Sequence, residues 1–371
     1  MAPKYKNVKQ HIKSKILDGS YRAHQKINSE YELVNQFNVS RHTIRQAIGE
    51  LVSEGWLYRE HGVGTFCADR SKLIQHHSRK SIAIVTTYLS DYIFPHIIRG
   101  AERILSDRGY NVILFSTNND VGKERTALEN ILSQQVEGVI AEPTQSSFTN
   151  PNINYYLNLE NLQIPYVMIN AYYEELEPLS LIMDDEKGGY MAAEHLLDLG
   201  HKDIIGIFKS DDLQGTRRMK GFLKAHRQHG ISLDPTNIIT YATSEKFTKP
   251  AQETAKLLQQ KTSRPSAIVC YNDELAIQIL EVIRKQGLKV PEDISIVGYD
   301  DSHFAEATEI KFTSIKHPKS RMGEMAAEMV IDLIENKPGR KKETGSIVYE
   351  PELVVRQSTR KLESEEMNTQ T

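Results

Sequence analysis

Cysteine is nearly missing: Cys67 and Cys270 are the only two in 371 residues. Two thiols so far apart in the chain exclude a disulfide scaffold and a cysteine metal cluster. They fit a reducing compartment, so the expectation is a cytoplasmic protein without metal. No run of 18 apolar residues occurs, which leaves nothing long enough to cross a bilayer as a helix. The opening MAPKYKNVKQHIKSKI has no apolar centre, so it does not read as a secretory signal. An excess of one charge sign is also missing: 46 Lys and Arg face 49 Asp and Glu, a net charge of -3. As an average, that argues against a nucleic-acid binder.

What is present corrects the average. Residues 1–80 hold 14 basic and 7 acidic side chains, a balance of +7, so the remainder carries -10. A small basic head on a larger acidic body suggests that only the head meets phosphate. A hydrophobic share of 39% and a charged share of 26% indicate a folded chain, and its length indicates two or three domains.

In the head, to about residue 70, Tyr5, Val8, Ile12, Ile16 and Leu17 recur at helical spacing. Ser29 and Glu32 form a capping box ahead of a second helix. Asn38-Val39 is a turn, and Ser40 caps a third helix with Ile44, Ala47, Ile48, Leu51 and Val52 on its inner face. WLYRE, HGVG and TFCA then read as two short strands around a glycine turn. This is the order of a winged helix-turn-helix, whose third helix lies in the major groove.

Arg41 and Arg45 share the outer face of that helix. Taken alone, the pair is better described as a solvated helix face; the cap, turn, hairpin and basic excess turn the reading towards DNA. An arginine can donate twice to guanine, Thr43 can touch a phosphate or a thymine methyl, and Ser40 can reach a phosphate. His42 lies between them, His61-Gly62 forms the wing tip, and Lys4 adds phosphate attraction. The stretch SEYELVNQFNVSRHTIRQAIGELVSEGWLYREHGVGTFC resembles the winged-helix domain of the GntR family, without a gap.

Residues 71–80 read as a linker. From 81 to 360, short apolar runs alternate with helical patterns, which predicts two doubly wound α/β lobes with parallel sheets. KLESEEMNTQT, from Lys361, reads as a disordered tail. Polar ligands of such sheets bind beyond the strand ends. The candidates there are Tyr92, Phe94 and His96, then Glu142, Asn170, Asn272-Asp273 and Asp300-Asp301, with Arg217 and Arg218 at a helix start poised to pair with Asp300 across the cleft. Carboxylates, amides and arginine suit sugar hydroxyls, which both donate and accept. Asn272 equally suits a helix cap, His96 and His317 suit a surface, and Tyr92 and Phe94 suit a core.

The segments EHLLDLGHKDIIGIF, RRMKGF, PSAIVCYNDELAIQILEVIRKQGLKVPEDISIVGYDD and FTSIKHP resemble the effector-binding region of the LacI/GalR repressors, itself similar to periplasmic sugar-binding proteins. The resemblance implies ligand contacts from Arg218, Asn272, Asp300 and His317, and an aromatic loop around Tyr92, Phe94 and His96. The chain departs from that family at its head, which is GntR-like and lacks a hinge helix. The chimera is similar to the arabinose-responsive repressors of bacilli. It implies a homodimer on operator DNA, with L-arabinose as effector and no cofactor. Another pentose, a purine or a sugar phosphate stays open as effector, although no Lys/Arg cluster at the strand ends invites a phosphate. A pyridoxal enzyme is the rival class, because GntR heads also occur on aminotransferase-like bodies, but no segment suggests its lysine and cofactor fold.

Overall fold

A computed structural model describes residues 3–69, 80–90, 92–134, 136–260, 264–335 and 345–362. The head is built from α1 (Lys4–Leu17), α2 (Glu30–Phe37), α3 (Arg41–Ser53), β1 (Leu57–Glu60) and β2 (Gly64–Cys67). Two of its helices, α2 and α3, begin where side chains satisfy free backbone N–H groups, while α1 follows Pro3 without a side-chain cap. Ser29 and Glu32 close a reciprocal box, with Glu32 Oε2 2.7 Å from the Ser29 nitrogen. The Ser40 hydroxyl accepts from the Thr43 N–H at 3.2 Å. Between these helices Asn38 takes the left-handed conformation, φ 49°. Ile44, Ala47, Ile48 and Leu51 of α3 are buried against Val8 and Ile12 of α1. β1 and β2 pair antiparallel from Leu57↔Cys67 to Glu60↔Gly64, and the turn between them is the wing.

The body has two lobes, each around a six-stranded sheet. The first holds β3 (Ser81–Thr86), α4 (Phe94–Asp107), β4 (Asn111–Ser116), α5 (Val121–Gln134), β5 (Gly138–Ala141), α6 (Ile153–Asn161), β6 (Tyr166–Ile169) and β7 (Ser180–Met183). The second holds α7 (Asp185–Asp198), β8 (Ile204–Lys209), α8 (Leu213–Gln228), β9 (Ile238–Tyr241), α9 (Lys249–Leu258), β10 (Ala267–Cys270), α10 (Asp273–Lys285), β11 (Ser295–Asp300), α11 (His303–Ala307) and β12 (Thr313–Lys316). Then α12 (Lys319–Glu335) and β13 (Ile347–Tyr349) return to the first lobe, and β14 (Leu353–Val354) to the second. The strand orders are β13-β7-β6-β5-β3-β4 and β14-β12-β11-β10-β8-β9, parallel except for β14. Central strands such as β3 and β11 are buried along their whole length, because helices cover both faces.

The chain therefore crosses between lobes three times: at Asp184, at His317-Pro318 and at 350–352. The strands flanking these crossings, β7 and β13 in one sheet and β12 and β14 in the other, gather at one edge of each sheet. The opposite edges, β4 and β9, have no covalent link.

Two helix pairs pack backbone to backbone, α4 with α12 and α7 with α8. A Cβ on Gly189 would collide with the Arg218 carbonyl, and one on Gly221 with the Glu186 carbonyl. This close approach sets α8 directly on α7.

Several expectations need correction. Residues 70–79, nearly all of the expected linker, lie outside the described residues, as do 363–371 of the expected tail. Lys361 and Leu362 still belong to the second lobe, since the Leu362 N–H donates to the Leu199 carbonyl at 2.8 Å. Helices α6 and α11 and the edge strands β9, β13 and β14 were not expected: they are short, and their apolar residues show no clean period.

Candidate effector cleft and DNA interface

Between the lobes, at the carboxyl ends of the strands, lies a cavity of about 100 Å³. Tyr92, Phe94, Glu142 and Asn170 of the first lobe line it, with Arg218, Asn272 and Asp300 of the second and His317 of the second crossing.

Arg218 organises one wall. Its Nε donates to Asp185 at 2.8 Å, Nη1 to the Tyr271 carbonyl at 2.7 Å, and Nη2 reaches Asp300 at 3.5 Å. Its guanidinium lies 3.5 Å from the centre of the Tyr299 ring. Burial pushes the Asp185 carboxyl up, to about 6, against the pull of Arg218. Asn272 is indeed the N-cap of α10: its Oδ1 accepts from the Leu275 N–H at 2.9 Å. Its amide nitrogen is left to donate to a ligand.

Tyr92 crosses the cleft. Its hydroxyl donates to Asp300 at 2.6 Å and accepts from the Asp273 N–H at 3.2 Å. Three cleft residues hold left-handed backbone conformations: Tyr92 (φ 63°), Asn170 (φ 64°) and Asp300 (φ 88°). Such strain persists only where surrounding structure over-determines it, and it gathers at functional sites.

The opposite wall is a chain of hydrogen bonds. Glu142 accepts from the Thr87 N–H at 2.7 Å and from the Asn170 amide at 2.8 Å. The Asn170 oxygen then accepts from His317 Nε2 at 3.1 Å. Burial pushes the His317 imidazole down to about 4, so the ring is neutral at pH 7. With the proton on Nε2, Nδ1 must be an acceptor, and this buried nitrogen has no partner among the described residues. A ligand hydroxyl is the donor it suits.

Other residues fall elsewhere than expected. His96 does not join the cavity; it is exposed on α4, because two residues past Phe94 a helix has turned by about 200°. Arg218 pairs with Asp300 inside one lobe, not across the cleft. Arg217 makes the crossing, to the Tyr172 hydroxyl at 3.2 Å, and both arginines sit in the second turn of α8. Cations do line the cavity, as Lys209, Lys246 and Arg218, beside the carboxylates Glu142, Asp185, Asp212, Glu274 and Asp300. Each cation has a carboxylate partner, Lys209 with Asp212 at 3.0 Å and Lys246 with Glu274 at 3.4 Å. Sequence reasoning missed Asp185, Tyr271 and Tyr299. The first looks like an ordinary helix-start acid, and the two rings look like strand residues.

On the head, Arg41, His42 and Arg45 are exposed on α3, with Ser40 and Thr43 at its start and Lys4 at the start of α1. His61 and Gly62 form the exposed wing tip, with Gly62 at φ 75°. Glu30, also missed, holds both arginines: Arg41 Nε at 2.8 Å and Arg45 Nε at 3.1 Å. The pairing draws its carboxyl below the usual range. Among the described residues there is no His/Cys/Asp/Glu group suited to a metal, and no helix long and apolar enough to cross a membrane.

Comparison with known proteins agrees with this geometry. The model of the gntR family of bacterial regulatory proteins matches residues 4–67, and that of the periplasmic binding protein-like domain matches 193–359. Among solved structures, the transcription regulator CcpA of Lactococcus lactis superposes with a TM-score of 0.66 at 26% identity, covering 76% of this chain and all of that one. A LacI family regulator from Enterococcus faecium with bound ribose gives 0.64 at 26%, with the same coverage. Fold and cleft define a sugar-responsive transcriptional repressor with a GntR head and a LacI-type body, and not an enzyme. The arabinose metabolism transcriptional repressor of Halalkalibacterium halodurans is 58% identical over 98% of this chain and 99% of its own length. That of Geobacillus stearothermophilus is 53% identical over 97% and 98%. The chain belongs to this family of arabinose metabolism transcriptional repressors.

Proposed function

We propose that the chain represses arabinose-utilisation genes by binding operator DNA as a homodimer, and that L-arabinose entering the cleft releases it. The observation that carries the reading is the cavity wall. Arg218, Asp300 and Asn272 face the Glu142–Asn170–His317 chain across a space of about 100 Å³. The small space disfavours a bulky ligand. Five carboxylates against three cations disfavour a phosphate. Tyr92 and Phe94 supply aromatic surface. A sugar hydroxyl bonded to Asp300 displaces the Tyr92 hydroxyl and rebuilds the contact between the lobes.

On the head, Arg41 and Arg45 read base edges. Lys4, Ser40, His42 and Thr43 hold the backbone, and His61-Gly62 enters the minor groove. Two heads on one dimer require two half-sites. DNA as partner puts the protein in the cytoplasm. The domain division we propose is a head over 1–70, a linker over 71–80 and an effector body from 81 to 362. Coupling of about 1–3 kcal/mol between sugar and operator is ordinary, and by linkage the DNA-bound form binds sugar more weakly by the same factor.

Calorimetric titration with L-arabinose, against D-xylose, D-ribose and D-galactose, tests the effector. Selective heat with L-arabinose is the expected result. Selective binding of another sugar would discard the named effector.

A further inference from the structure

The head is docked on the body: one hydrophobic cluster runs from the head into the first lobe, and polar contacts join the end of α1 to α5 and α6. At the end of α1, the Ser14 hydroxyl donates to Glu129 of α5 at 2.7 Å. The Tyr155 hydroxyl of α6 donates to the same carboxylate at 3.0 Å and lies 3.2 Å from Ser14. A helix leaves its last carbonyls without partners. Backbone N–H groups just beyond α1 serve those of Ser14, Lys15 and Ile16, and α6 serves the last two: Asn158 Nδ2 donates to the Leu17 carbonyl at 2.6 Å, and Asn154 Nδ2 to that of Asp18 at 3.1 Å. The carboxyl end of α1 is thus capped by side chains of another domain.

The same two helices carry the loop that senses the cleft. Glu124, earlier on α5, is fully buried and accepts from Asn150, Asn152, Tyr156 and Tyr173 at 2.7–2.9 Å. This carboxylate fixes the loop 142–152 on α5 and α6. Glu142 of that loop lines the cavity. Ser147 donates to the Ser210 carbonyl of the second lobe at 2.7 Å, and Ser146 accepts from the Leu213 N–H at 2.9 Å. One part of α5 is therefore tied to the lobe contact, and a later turn of it to the head.

We propose that Glu129 is a positioning residue that docks α1 on α5 and α6, and that through this dock the cleft sets the orientation of the DNA-binding head. The sugar-dependent half rests on the reading under Proposed function; the dock itself does not. The polar part of the contact suits the task, since its hydrogen bonds can be exchanged for bonds to water at modest net cost. Coupling through packed elements needs such a two-state contact, which both sites can bias.

The test uses the full chain as Glu129→Ala and Glu129→Gln, with a duplex fragment selected from a random pool by the parent protein. The alanine removes the acceptor; glutamine keeps an oxygen for Ser14 and Tyr155. Hydrogen exchange should rise at least tenfold at the carboxyl end of α1 in Glu129→Ala, with the cavity strands unchanged, and return towards the parent in Glu129→Gln. L-Arabinose affinity should stay within twofold of the parent. The factor by which L-arabinose weakens fragment binding should collapse towards one in Glu129→Ala and persist in Glu129→Gln. Unchanged exchange in Glu129→Ala overturns the dock. Raised exchange with an intact sugar response overturns the coupling. A parent that ignores L-arabinose overturns the named effector, and the exchange result still decides the dock.

Discussion

Replacing Arg218 by methionine isolates the chemistry of the cleft, because methionine has a similar length and no charge. The guanidinium is buried and serves Asp185, Asp300 and the Tyr271 carbonyl at once. Removing it leaves two buried carboxylates without their cation and one carbonyl without its donor. Breaking a buried ion pair by deleting one partner costs about 3–5 kcal/mol. An orphaned backbone acceptor costs roughly 1–3 kcal/mol. The two overlap, and Asp185, whose carboxyl is already pushed up by burial, escapes part of the penalty by taking up a proton, so about 3–5 kcal/mol is the expected total. At about 2–4 °C per kcal/mol, the melting point of the body should fall by roughly 6–20 °C. Scanning calorimetry at pH 8 measures it. The deficit should narrow as pH is lowered to 5, because a protonated Asp185 carboxyl no longer needs the cation. Arg218→Met combined with Asp185→Asn should recover at least about 1 kcal/mol, since one of the stranded charges is gone. A single variant within about 1 kcal/mol of the parent, or a double variant no more stable than the single, would refute the assignment of Arg218 as the hub of this wall.

The His317→Gln variant tests the neutral imidazole. Folded His317 takes its proton near 4, while in the unfolded chain it does so near 6.5. As pH falls from 6.5 to 4, the unfolded state binds more protons, so stability is lost over that window, by up to about 3 kcal/mol. The parent should therefore lose more stability than His317→Gln on acidification, and equal loss would mean that His317 protonates freely in the folded state. On the head, Arg45→Ala should cost about 1–3 kcal/mol of discrimination between operator and mismatched duplex, read in competition titrations. Unchanged discrimination would reduce Arg45 to a surface charge.

The winged head was the most legible part of the chain, because its signals are local. Ser29, Glu32 and Ser40 announce helix starts, and Gly62 announces the wing. The lobes were legible as alternation, since a strand covered on both faces must be apolar throughout. The pairings were not. Nothing in the spacing of Asp185 and Arg218 says that Gly189 and Gly221 bring their helices into backbone contact. Glu30 looked like any acid in a first helical turn, and its hold on Arg41 and Arg45 exists only once α2 and α3 cross. His96 shows the opposite failure: proximity in sequence to Tyr92 and Phe94 suggested a shared cluster, and helical rotation broke it.

The three crossings make the body a book with one spine. β7, β13, β12 and β14 form the bound edge; β4 and β9 are the free edges of the covers. A clasp holds the covers shut there: Asn119, just after β4, donates to Thr243, just after β9, at 2.7 Å. In a book the pages near the spine barely move, while the fore-edge sweeps the full arc. The head rides on α5, the helix that follows β4 at the fore-edge, and on α6, which follows β5 nearer the middle of the cover. A small change of angle at the spine is magnified there, and two heads on a dimer would feel it as a change in the distance between them.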